Sequence, residues 1–181
     1  MSDQEIGKKL VERSELELFI DAYEWITGGA LSIIEADESP DFICERPDGS
    51  RVGVELTKIT RDKNVIFAEK VLDRKYEIDA YEASDYIHYL LERKEENRAT
   101  NYVLKVAKNI LVLQLVDGTL DNIMWVFDGL QNDFVDHGFE EVWLADYSGY
   151  KAYGDIELFG LYPECWWGYH QRPCPYRKPY G

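Results

Sequence analysis

The stretch Ser39-Pro-Asp-Phe-Ile-Cys-Glu-Arg-Pro-Asp-Gly-Ser-Arg-Val-Gly-Val-Glu-Leu-Thr-Lys-Ile59 decides how the rest of the chain is read. Two short apolar segments, Phe42–Glu45 and Val52–Thr57, flank Pro47-Asp48-Gly49-Ser50. Proline presets the backbone of a tight turn and glycine supplies its unusual dihedrals, so the two segments are predicted to pair as a hairpin. Folding back at that turn brings Asp41, at the start of one strand, towards Glu55, inside the other. An aspartate and a glutamate then converge at one end of a sheet. Hard oxygen ligands so arranged suit Mg2+ or Mn2+, which bind through one or two carboxylates and leave other positions to water and phosphate.

Working outward, Leu10, Val11, Leu16, Phe19, Ile20, Tyr23 and Ile26 recur at helical spacing, and Gly28-Gly29 follows. This predicts an amphipathic helix over residues 5–27 with a glycine stop. Leu31–Glu35 reads as a further strand. From residue 62 to about residue 108 the apolar spacing is helical, after which Asn109–Val116 is a nearly unbroken apolar run. Such a run is the pattern of a strand buried on both faces, and Glu141–Asp146 repeats it. A helix beginning at Thr119 or Asp121 would make the crossover between them, so these two strands should be parallel. Residues 155–161 add an edge strand. The fold class is therefore α/β, a central mixed sheet flanked by helices, formed by one domain over residues 1–161. Residues 162–181, rich in proline, tryptophan and tyrosine, are expected as an irregular tail packed on that domain.

The chain has 181 residues and a net charge of -15, so a polyanion is repelled on average. Basic residues are nevertheless concentrated after the hairpin, with Lys58, Arg61, Lys63, Lys70, Arg74 and Lys75 between residues 58 and 75. Residues 109–165 contain only one, Lys151. An anionic ligand would thus be met locally, and Lys58, Arg61 and Lys70 are the candidate substrate contacts. Three cysteines, an odd number, do not make a disulfide framework. With no membrane-length apolar run and no signal-peptide pattern at its start, the chain is expected in the cytoplasm, without a membrane partner. Trp125 and Trp143 lie in apolar stretches and are expected in the core.

Pro40-Asp41-Phe42, the Pro-Asp-Gly turn and Gly53-Val54-Glu55-Leu56-Thr57 together resemble the core motif of the PD-(D/E)xK nuclease superfamily. The resemblance implies a restriction-endonuclease-like core, in the order helix, three strands, helix, strand. It implies a nuclease that cleaves phosphodiester bonds of DNA or RNA with Mg2+ or Mn2+ held by Asp41 and Glu55. The motif lysine is replaced by Thr57, and Lys58 is one residue late. Because strand side chains alternate, Lys58 should point away from Glu55 while Thr57 points with it. The family sometimes takes this lysine from a following helix, which implies Lys70, Lys75 or Lys94, with Lys94 preferred because its segment precedes the central strand. A first-helix glutamate completing the metal shell would be Glu15 or Glu17. Gln114, the lone polar residue of the buried run, is a further candidate to face the site. The other reading is a catalytically silent nuclease-like domain, an immunity or regulatory module whose acidity suits a basic protein partner.

Overall fold

Strand Arg51–Ile59 (β3) and strand Asn109–Leu115 (β4) pair in parallel from Gly53 opposite Asn109 to Ile59 opposite Leu115, and the molecule is built around that pair. Every residue of β4 is buried, as its unbroken apolar run requires when both faces are covered. The computed structural model describes residues 3–59, 80–102, 105–116, 119–135, 137–148 and 155–170.

Helix α1 (Asp3–Thr27) leads into β1 (Ser32–Ala36), β2 (Phe42–Glu45) and β3. These three strands form an antiparallel meander. Gly28, at φ 71°, closes α1 by donating its N–H to the Glu24 carbonyl at 2.8 Å. The turn joining β2 and β3 is held by Gly49 N–H to the Arg46 carbonyl, and by Ser50, whose N–H and Oγ both donate to Asp48 Oδ1. After residues 60–79, α2 (Ala80–Asn97) continues into a π-helical turn at Arg98–Tyr102 and then β4. Strand β5 (Glu141–Asp146) lies parallel to β4 on its other side. Strands β6 (Glu157–Tyr162) and β7 (Gly168–His170) then add antiparallel. The sheet is thus seven-stranded and mixed, with spatial order identical to chain order. No helix among the described residues is long and apolar enough to cross a membrane.

Alternation along the strands divides the core into two layers. Leu16, Phe19, Ala22 and Tyr23 of α1 pack on one sheet face against Val52, Val54, Ile110, Val112 and Trp143. Ile87, Leu90 and Leu91 of α2 pack on the other against Ile59, Leu111, Leu113, Val142 and Leu144. The order α1, β1–β3, α2, β4 is the one expected from sequence.

Four features differ from expectation. The crossover between β4 and β5 holds only a four-residue helix, α3 (Leu120–Ile123), and a 3-10 turn at Met124–Phe127. In that short turn Trp125 faces outward at 58% exposure, whereas Trp143 is fully buried as predicted. Leu10 and Val11 are also exposed, because the inward stripe of α1 runs through Leu16, Phe19 and Tyr23. The segment after Tyr162 is not irregular up to residue 170, since β7 pairs with β6 and β6 is therefore interior to the sheet. Residues 171–181, the rest of the anticipated tail, lie outside the described residues.

The smallness of Gly53 positions the Pro-Asp pair. A Cβ placed there would lie 2.6 Å from Pro40 Cγ and closer still to Asn109 Oδ1, a buried oxygen with no hydrogen-bond partner among the described residues. Gly53→Ala is expected to cost about 1–3 kcal/mol by overpacking, read from the urea midpoint, and to displace Pro40 and hence Asp41.

Candidate functional site

Asp41 immediately precedes β2, whose register pairs Phe42 with Val54, so one further step sets Asp41 opposite Glu55 on β3. The two residues are tied reciprocally. The Asp41 N–H donates to Glu55 Oε2 at 3.3 Å, and the Leu56 N–H donates to Asp41 Oδ2 at 2.9 Å. Glu55 is buried, and Lys94 from the last turn of α2 reaches it, Nζ lying 2.6 Å from Oε1. On the α1 side, Lys9 Nζ stands 3.9 Å from Asp41 Oδ1 and donates to the Asp37 carbonyl at 2.6 Å.

Burial, and next the adjacent Glu55 carboxylate, push the Asp41 carboxyl up to about 6, with the charge of Glu12 adding to the rise. The Leu56 amide and Lys9 pull the other way. Desolvation and like charge both disfavour an anion, and a cation placed between the carboxylates would relieve both.

Strand alternation explains which sequence candidates meet. Glu55, Thr57 and Ile59 share a face, and Ile59 packs in the layer that contains α2, the helix that supplies Lys94. Thr57, 8% exposed, has a buried Oγ1 without a hydrogen-bond partner among the described residues. Lys58 is on the opposite face, as alternation predicts, and pairs with Glu15 of α1 at 2.7 Å. Gln114, opposite Lys58 in the β3–β4 register, does not face Glu55 as anticipated; it donates to Glu15 Oε2 at 3.3 Å. A cleft of about 490 Å³ on this α1 side is lined by Glu12, Glu15, Leu56, Lys58 and Gln114.

Glu17 is not brought to Asp41 or Glu55. It is exposed on α1 and pairs with Arg13 at 3.1 Å, because one residue past the buried Leu16 the helix has turned by about 100°. The first-helix carboxylate that Asp41 senses is Glu12, which sequence reasoning missed. Its signal was present: Glu12, Leu16, Phe19 and Tyr23 fall at i, i+4, i+7 and i+11, one inward stripe. Glu12 Oε2 is buried and ion-pairs with Lys9 at 3.1 Å without hydrogen-bond geometry. Arg61, Lys70 and Lys75 lie outside the described residues.

The neighbouring carboxylates of Asp41 and Glu55 are oxygen donors of the kind that suits a hard divalent cation. Among the described residues, no three carboxylate, imidazole or thiol groups are gathered closely enough to hold a metal ion on their own. Any ion here would take Asp41 and Glu55 as its protein ligands and fill its remaining positions from water or substrate.

No protein-family model, curated protein or solved structure matches this chain significantly.

Since the folded-state affinity of Asp41 for its proton is raised from 3.8 to about 6, the folded state binds more protons than the unfolded one between those pH values. Stability is therefore highest below about pH 4 with respect to this group and falls as pH rises to 6. In chelator-treated protein, Asp41→Asn, which keeps the acceptor for the Leu56 amide, is expected to flatten that decline. Above pH 6 it should stabilise the fold by a few kcal/mol at most, measured as urea midpoints against pH.

Proposed function

We infer that this chain is a metal-dependent nuclease acting on the phosphodiester bonds of DNA or RNA, with Asp41, Glu55 and Lys94 as its working residues. The observation that carries the reading is the convergence on Glu55 of Lys94 from α2, with Nζ 2.6 Å from Oε1, and of Asp41, whose N–H donates to Glu55 Oε2. The order of α1, the β1–β3 meander, α2 and the parallel β4 is similar to the restriction-endonuclease-like core and supports it.

Asp41 and Glu55 would hold Mg2+ or Mn2+, which when bound neutralises phosphate charge and eases deprotonation of water. The Lys94 ammonium comes from the helix rather than from the strand position occupied by Thr57. It offsets the carboxylate charge in the metal-free chain and, released from Glu55, can donate to a phosphate oxygen or orient the attacking water. Thr57 adds a hydroxyl beside Glu55. Lys58 belongs to the opposite face, so phosphate contacts from the following basic stretch fall to Arg61 and Lys70. A second reading is favoured by one observation: the Asp41 and Glu55 carboxylates already accept from backbone amides, those of Leu56 and Asp41 respectively, as a silent site would. The chain would then act as an acidic interaction module of the immunity or regulatory kind.

Calorimetric titration with Mn2+, run beside cleavage assays on single- and double-stranded DNA and RNA, separates the two. The nuclease reading expects binding that Glu55→Gln abolishes. It also expects Lys94→Met to keep binding while slowing cleavage at least about a hundredfold, the scale of losing a positioned proton-transfer group. Absence of metal binding in the unaltered chain would reject catalysis and leave the interaction module.

A further inference from the structure

Opposite in character to the basic stretch after β3, one outer face combines exposed aromatic rings with carboxylates. Tyr81, near the start of α2, and Trp125, in the 3-10 turn after α3, are 64% and 58% exposed. Their rings meet edge to face with centroids 5.6 Å apart, so two elements distant in sequence form one aromatic ledge. Tyr89, 51% exposed two turns further along α2, stacks on Tyr86 with ring centroids 5.9 Å apart. Asp85 is exposed between Tyr81 and Tyr89, one turn from each. Asp121 and Asp128, also exposed, lie four residues before and three after Trp125. Residues 109–148 contain no lysine or arginine at all. On α2 the nearest cations are Arg93, one turn beyond Tyr89, and Lys94, which is engaged with Glu55.

Large apolar rings left at the surface mark a contact area when they cluster, and among the described residues the exposed charges nearest Tyr81 and Trp125 in sequence, Asp85, Asp121 and Asp128, are acidic. Three occupants can be weighed by charge. Nucleic acid would bring phosphates against Asp85, Asp121 and Asp128 and be repelled. A second copy of this chain would oppose the same carboxylates to themselves. A lysine- or arginine-bearing segment would meet attraction from the carboxylates and could lay its cationic heads on the indole and phenol rings, an arrangement favoured within about 6 Å of a ring centroid.

We propose that the Tyr81–Trp125 ledge with Asp85, Asp121 and Asp128 is a docking surface for a basic segment of a protein partner. It is separate from Asp41 and Glu55 and does not depend on whether those residues cleave nucleic acid.

The test uses the full chain and an octaarginine peptide as probe at about 0.15 M salt, where long-range attraction is screened and direct contact must account for binding. Amide chemical shifts should move over residues 81–89 and 120–128. By calorimetry, Trp125→Ala should weaken binding about tenfold, as loss of a central aromatic anchor does. The triple change Asp85→Asn, Asp121→Asn and Asp128→Asn should weaken it comparably, whereas Glu17→Gln, Glu24→Gln and Glu38→Gln, which remove the same charge elsewhere, should change it less than about twofold. Equal weakening by both triples, or shifts scattered over the whole acidic surface, would reduce the effect to net charge and overturn the proposal. So would binding of single-stranded DNA on this face, or a dimer seen in sedimentation that Trp125→Ala dissolves.

Discussion

Alternation of side chains along β3 is the constraint from which both the fold and the candidate site follow. Val52, Val54 and Leu56 are committed to the α1 layer, so Glu55 and Thr57 must turn to the α2 side, where Ile59 packs. Pairing β3 in parallel with β4 leaves neither face free, and a polar side chain on β3 is then either partnered or stranded. Glu55 is partnered by Lys94 and the Asp41 amide; among the described residues Thr57 is stranded. A shift of one residue in the β3 register would place Lys58 among the leucines of the α2 layer and Glu55 against α1.

A buried ion pair is weak support for stability, since desolvation of both groups offsets their attraction. The Lys94–Glu55 pair is better understood as a device of position. Lys94 comes from α2, Glu55 from β3 and Asp41 from the residue before β2, so these contacts tie three segments together. Elsewhere the fold contains a second buried carboxylate with a different character. Glu141 on β5 accepts from Tyr23 Oη at 2.9 Å and Trp143 Nε1 at 2.8 Å and lies 3.3 Å from Arg46. Its oxygens are fully engaged in joining α1, the β2–β3 turn and β5, so it braces the structure. Asp146 likewise spends its oxygens on the Leu120 and Ser148 amides.

Much of this architecture was legible in the sequence for identifiable reasons. The runs at Asn109 and Glu141 are too apolar and too short to be anything but interior strands, and Pro47-Asp48-Gly49 admits little besides a hairpin turn. The direction of Lys58 follows from period two alone. The rotation of α1 does not: its apolar residues spread past a single stripe, so the local pattern draws Leu10 and Val11 inward and leaves Glu12 out. Helical phase there is set by packing on Phe42, Trp143 and Leu158, contacts invisible in a local pattern. Trp125 faces outward because a 3-10 turn has a different period from the α-helix that the sequence pattern predicts. Strand β7, Gly-Tyr-His, is too short to carry alternation and exists because β6 offers it an open edge.

Because the strands lie in the sheet in the order in which they occur in the chain, each new strand adds beside its predecessor and no later segment must thread between earlier ones. The β1–β3 meander can assemble from contacts near in sequence. The costly closure is the parallel joining of β3 to β4, across residues 60–108, and the entropy of that loop must be met before its contacts form. The Lys94–Glu55 contact lies at that joint and is completed only once α2 and β4 have docked on the finished meander. A chain emerging from the ribosome would therefore expose its acidic pair before Lys94 becomes available to it.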